Sequence, residues 1–222
     1  MQPDEPEPSK LLAISVGLPR ETNWHGQTIQ TGIFKSPIEG RVGVGRLGIE
    51  GDGQADLSVH GGIDKAVYAY DDSSAQYWRD ELGRPELAAG AFGENLTLSG
   101  WPEDRVRIGD LFRIGSTSFE VSQPRQPCMK LGLRFDDPKF PKRFLASGRV
   151  GFYLRVLEAG SISAGDEVVR LRTNEEGLSV SWLVRIWLDR DASVAEFERA
   201  LSIEALAEAW RGPLRERVER SS

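Results

Sequence analysis

From Leu11 to about residue 172, short runs rich in apolar and β-branched residues alternate with glycine turns. LLAISV, QTGIF, VGVGRLGI, KAVYAY, ENLTL, DLFRIG, TSFEVS, GFYLRVL and DEVVRLR are such runs. Runs this short, with turns this frequent, predict a barrel or sandwich rather than a βαβ sheet. Two helices interrupt them. Ser73 followed by Gln76 is a capping-box pattern leading into AQYWRDEL, and PKRFLASG at 141–148 predicts a second helix.

Beyond about residue 175 the period changes. SVSWLVRIWLD, SVAEFERAL and SIEALAEAWRGPLRERVER lack strand alternation and carry helical spacing. Ser193 and Glu196 form another capping box. Trp182, Ile186 and Trp187 share one apolar face, and Leu206 and Trp210 share another. The reading is a mainly β fold with added α. It divides into a disordered tail at 1–10, a β-barrel domain at 11–174 and a small three-helix bundle at 175–222. The tail expectation comes from MQPDEPEPSK, which is acidic and proline-rich.

Composition narrows the function classes. The formal net charge of −6 does not suit the phosphate backbone of a nucleic-acid polymer. The longest apolar stretch, SWLVRIWL, is too short to cross a bilayer. MQPDEPEPSK lacks the basic start and apolar run of a signal peptide. Cys128 is the only cysteine, so no internal disulfide forms, which fits a reducing cytoplasm.

Some motifs carry nothing. Gly43, Gly45 and Gly48 match the dinucleotide fingerprint GxGxxG, but loop chemistry follows where a helix should open. A glycine-rich strand or hairpin is the better reading. His25, His60 and Cys128 do not stand at zinc-ligand spacing, and there is no GxSxG nucleophile elbow.

Three stretches carry chemistry. In VHGGIDKAVYAY, His60 precedes two glycines and Lys65 starts an alternating strand. Cationic side chains beside bare backbone N–H groups make an anion seat. The alternative is a histidine that bonds a turn and a lysine in solvent. In AFGENLTL, Asn95 offers donors and acceptors and Glu94 an acceptor, as a heterocycle edge requires. The alternative is a β-turn with a polar tip. In SQPRQPCMKLG, Cys128 lies between Pro127 and Lys130, with Pro124 and Arg125 just before. Nearby cations favour the thiolate, the nucleophilic and metal-binding form. The prolines stiffen the loop, which holds a sulfur at fixed geometry. The alternative is an inert buried cysteine.

Taken in order, LGIEGDGQADLSVHGGIDKAVYAY, GAFGENLTLSG, RIGDLFRIG and VSQPRQPCMKLG resemble the MOSC domain, named for the C-terminal part of molybdenum-cofactor sulfurases. The resemblance covers about residues 11–219 and is closest to the YiiM type, whose C-terminus carries three short helices. It implies a β-barrel with added helices and a molybdenum-pterin cofactor. It implies that Cys128 ligates molybdenum or carries sulfur, so Cys128 is the candidate catalytic and metal-binding residue. Candidate phosphate contacts are Lys35, His60, Lys65 and Arg125. Glu94 and Asn95 are candidates for the pterin edge, and Ser122 and Gln126 complete the candidate cofactor-binding set.

The implied activity is a two-electron reduction of N-hydroxylated compounds such as 6-hydroxylaminopurine. The chain has no flavin fingerprint and no cysteine set for an iron–sulfur cluster, so a separate electron-transfer reductase is implied. The C-terminal helices serve packing, partner docking or homodimer formation. Two other readings remain. One is a sulfur carrier using a Cys128 persulfide. The other is a non-catalytic module that binds the cofactor or another phosphate-bearing ligand.

Overall fold

A computed structural model describes residues 9–55 and 61–221. Among them lie thirteen strands and six α-helices. The first half holds β1 (Leu11–Val16), β2 (Arg20–Trp24), β3 (Gln27–Thr31), β4 (Ser36–Ile38), β5 (Arg41–Gly45) and β6 (Gly48–Ile49). A 3-10 turn, Ile63–Lys65, leads into β7 (Val67–Asp71), α1 (Asp72–Leu82) and β8 (Leu96–Leu98). β9 (Leu111–Ile114), β10 (Thr117–Pro124), α2 (Met129–Phe135) and α3 (Phe140–Ala146) follow. Then come β11 (Phe152–Glu158), β12 (Gly160–Ser163) and β13 (Val168–Arg172). The chain finishes with α4 (Val180–Leu188), α5 (Val194–Leu201) and α6 (Glu208–Ser221).

Eight strands form one mixed sheet in the order β13-β9-β10-β11-β7-β8-β1-β4. Its ladders are antiparallel except for β7 and β8, which run parallel across the α1 connection. The sheet is not a closed barrel, which corrects that expectation. No ladder joins β13 to β4 at the edges, and one bridge, Lys10 to Glu167, links the lead-ins of β1 and β13. Ser9 and Lys10 are therefore held by the sheet, while the rest of the expected tail lies outside the described residues. The glycine-rich run at 43–48 is the β5–β6 hairpin, paired further with β12.

Local chemistry sets the helix ends. The Asp71 carboxylate caps α1 by accepting from the Ser73 N–H at 3.0 Å, and Gly83 closes it in the left-handed region at φ 60°. The cap is thus two residues earlier than the Ser73–Gln76 pattern predicts. Gln76 instead reaches forward to Asp80. Trp78 on α1 stacks on Phe144 of α3 at 5.6 Å and meets Phe140 edge-on at 5.0 Å. Those rings fasten both helices to Phe92 and Tyr70 over the sheet.

The predicted Ser193–Glu196 capping box is present at α5. Leu206 and Trp210 are buried, and the Trp187 and Trp210 rings lie 5.0 Å apart. Trp182 and Trp187 are only partly buried against the same core. Two carbonyls of β10 receive bonds from this region. The Ala207 N–H donates to Ser122 at 3.1 Å, and Trp210 Nε1 donates to Pro124 at 3.0 Å.

Candidate functional site

The site forms where β10 ends. Arg125 still pairs with the sheet, its N–H donating to the Gly151 carbonyl at 3.2 Å. The chain then leaves the sheet, and Cys128 stands just before α2, half-buried. A solvent-open cleft with about 640 Å³ of empty space lies against the thiol. It is lined by Lys35, Lys65, Asn95, Arg125, Gln126, Cys128 and Lys130, with Tyr68 and Tyr153 behind them. Five distant stretches of chain therefore meet around one sulfur.

Arg125 is the fixed cation. Its side chain is buried, its guanidinium lies 4.7 Å from the Tyr68 ring centre, and Nη1 donates to the Phe92 carbonyl at 2.8 Å. Burial opposes its charge, yet Tyr68, Tyr153 and Cys128 raise its pKa, so it stays protonated. Lys65 ends the 3-10 turn instead of starting a strand. Burial lowers its pKa, and Asp64 and Cys128 pull the other way.

Lys35 is paired inside the protein with Asp52, and both side chains are nearly inaccessible. Burial lowers the Lys35 pKa against the pull of Asp52. Asp52 also accepts from Asn95 Nδ2 at 2.9 Å and from the Gly17 N–H at 2.9 Å. Asn95 Oδ1 in turn accepts from the Tyr68 N–H at 3.1 Å. Lys35 and Asn95 therefore face the cleft while cross-linking its walls. Glycine lets two of those walls touch, because a Cβ on Gly32 would collide with the Gly53 carbonyl.

Two candidates lie outside the cleft lining. Glu94 is buried and accepts from the backbone N–H groups of Gly90 at 2.6 Å and Phe92 at 3.0 Å. Burial raises its pKa against those bonds. Ser122 donates to the carbonyls of Asp64 at 2.6 Å and Tyr153 at 3.1 Å. Both act on the backbone that shapes the cleft. His60 lies outside the described residues. Asp52, Tyr68 and Tyr153 are site residues that sequence reasoning missed, because none carries a local motif.

Comparison with known proteins now bears on this geometry. A model of the MOSC domain matches residues 56–169, which span the Lys65 turn, the Asn95 bend before β8 and the Cys128 loop. This chain belongs to the MOSC domain family. It is 41% identical over 210 residues to the uncharacterized protein YflK of Bacillus subtilis (strain 168), covering 95% of each chain. The crystal structure of YiiM from Geobacillus stearothermophilus matches with a TM-score of 0.80 at 34% identity, over 95% of this chain and 100% of that one. A protein named reductase from Gibberella moniliformis is 35% identical over 192 residues, which are 85% of this chain and 34% of that longer protein. The MOSC fold of this chain is thus the YiiM fold, C-terminal helices included.

The family points to the molybdenum-pterin cofactor, and the residues present fit it. The cleft offers one thiol, a soft ligand suited to a metal that brings sulfur ligands of its own. It also offers Arg125, Lys65 and Lys130 to an anionic phosphate, and carbonyl and amide groups to a polar ring.

Proposed function

We propose that this MOSC protein holds a molybdenum-pterin cofactor beside Cys128 and reduces N-hydroxylated compounds, 6-hydroxylaminopurine being the model substrate. The observation that carries the reading is that the chain's sole thiol opens onto a cleft shared with Arg125 and Lys65. The bound cofactor would supply the two-electron redox chemistry.

The chain's own residues supply the rest. Cys128 offers the soft ligand. Arg125 presents a charge that cannot be lost, fixed in direction by Tyr68 and Phe92, to an anionic group. Lys65 is half-buried with a lowered pKa, which suits it to hand a proton to the departing hydroxyl oxygen of the substrate. The Tyr68 and Tyr153 rings, with centres 5.4 Å apart, add an aromatic wall to the cleft. Electrons come from a separate reductase in this reading.

The test is molybdenum per chain, by elemental mass spectrometry, in wild type and Cys128→Ala purified from a cofactor-competent host. Stoichiometric metal in wild type, lost in the variant, supports the reading and leads to reduction assays with an added donor. Absence of metal from wild type, with a positive control loaded, overturns it and leaves the persulfide carrier and the non-catalytic binding module.

A further inference from the structure

Alternation along β11 puts Tyr153 and Arg155 on one face. Tyr153 lines the cleft, and Arg155 gathers three acceptors from three parts of the chain. Its Nε donates to Asp64 Oδ1 at 2.5 Å. Its Nη1 donates to Glu120 Oε2 at 2.7 Å and to the Ala205 carbonyl at 2.7 Å. Glu120 is its cross-strand partner on β10. Asp64 precedes Lys65 in the 3-10 turn, and Ala205 lies between α5 and α6.

A second set of bonds runs parallel to the first. The Asp64 carbonyl accepts from Ser122 Oγ, and the Ser122 carbonyl accepts from the Ala207 N–H. Residues 205–210 thus reach both approaches to the thiol: the turn that ends in Lys65 and the end of β10 that leads to Cys128.

We infer that Arg155 is a positioning residue: anchored on the Ala205 carbonyl, it fixes Asp64 and thereby holds the Lys65 ammonium beside Cys128. The C-terminal segment then sets the charge around the thiol without touching it. Lys65, Arg125, Tyr68 and Tyr153 line the same cleft as Cys128, and Lys35 and Lys130 complete its ionisable lining among the described residues. Of these, Lys65 is the one held through Arg155. Arg155 itself stays charged: burial opposes its charge, but Asp64 and Glu120 raise its pKa.

The inference rests on the thiol being the working group of the proposed function, but its test needs no cofactor. Cys128 is the only cysteine, so iodoacetamide reports one site. The thiolate displaces iodide and a carbon–sulfur bond forms. The alkylation rate is followed from about pH 5 to pH 9 on the full chain, purified without metal. Arg155→Ala releases Lys65 and leaves the Asp64 carboxylate uncompensated, and both changes disfavour the thiolate. The profile then moves to higher pH, and the rate at neutral pH falls on the order of threefold. Arg155→Lys keeps a charge but cannot span three acceptors, so it recovers part of the rate. Lys65→Gln moves the profile the same way, and adding Arg155→Ala to it moves the profile by less than Arg155→Ala does alone, because only the Asp64 effect remains.

An unmoved profile in Arg155→Ala with a wild-type circular-dichroism spectrum overturns the inference. So does a double variant whose shift is the sum of the single ones. If Arg155→Ala fails to fold, Arg155→Lys decides, and an unmoved profile there overturns it equally. A shifted profile in a protein that never takes up molybdenum supports the role of Arg155 and sinks the cofactor reading alone.

Discussion

Arg125 both stacks over Tyr68 and donates to its hydroxyl, with the guanidinium 4.7 Å from the ring centre and Nη1 3.2 Å from the oxygen. The tyrosine is held in turn, its hydroxyl donating to the Val150 carbonyl at 2.8 Å. The cation next to the thiol is thus as fixed as a backbone group. Arg125→Ala strands the Phe92 carbonyl, and a loss of about 2 kcal/mol is expected in urea unfolding. Arg125→Lys recovers less than half of it, because an ammonium cannot lie flat over the Tyr68 ring. Under the proposed function, molybdenum per chain also falls in both variants.

Trp210 joins α6 to the end of β10. Trp210→Phe keeps the ring but leaves the buried Pro124 carbonyl only the long 3.5 Å bond from Gln123 Nε2, at a cost of about 1–2 kcal/mol. Trp210→Ala also empties the space against Trp187, and about 4 kcal/mol is expected. Denaturant titration separates the two variants.

Glu103 makes stability depend on pH. Burial raises its pKa above the ordinary value, against bonds from the Gly151 N–H and Ser74 Oγ. Between the ordinary carboxyl pKa near ~4.3 and the raised one, the folded chain binds more protons than the unfolded chain. This contribution is fully present below the ordinary value and is lost as pH rises through the raised one. Glu94 acts in the same sense. Glu103→Gln can keep both bonds, accepting from Gly151 and donating to Ser74, without ionising. The unfolding free energy of the variant therefore falls less steeply with rising pH than that of wild type.

Two glycines of positive φ separate backbone strain from collision. Gly148 has φ 71° and open space where a Cβ would stand, so Gly148→Ala costs about 1 kcal/mol. Gly151 has φ 67°, and its Cβ would strike the Ala69 carbonyl and the rings of Tyr68 and Tyr70. Gly151→Ala therefore costs about 3 kcal/mol or more. Thermal unfolding of the pair tests the difference.

Sequence patterns located elements whose two faces differ. DLFRIG, TSFEVS and GFYLRVL became β9, β10 and β11 because alternation marks which side meets the core. KAVYAY was legible as β7 but not in its bounds: all five residues of that strand are buried, so no alternation shows that Lys65 belongs to the turn before it. Helix α2 was missed because it is short and contains Gly132. That glycine answers a tertiary demand, since a Cβ there would press on the Asp137 carbonyl. The site was legible in part. The Cys128 loop announces itself by composition. Glu94 and Asn95 look like ligand contacts by residue type, yet they bond chiefly to the protein's own backbone, and a side chain's direction is not written in its neighbours.

The cleft takes its walls from residues as far apart as Thr31 and Tyr153, and its thiol follows the strand that must pair with β11. During synthesis, the sulfur would leave the ribosome before the strand carrying Tyr153 has emerged to back it. At ribosomal speeds of roughly 5–20 residues per second, that interval lasts a second or more. A growing chain exposes a bare cysteine during that time, and the pocket cannot select a ligand until β11 is in place. Under the proposed function, loading would therefore be an event for the finished fold, and an oxidant met during translation would reach the sulfur first.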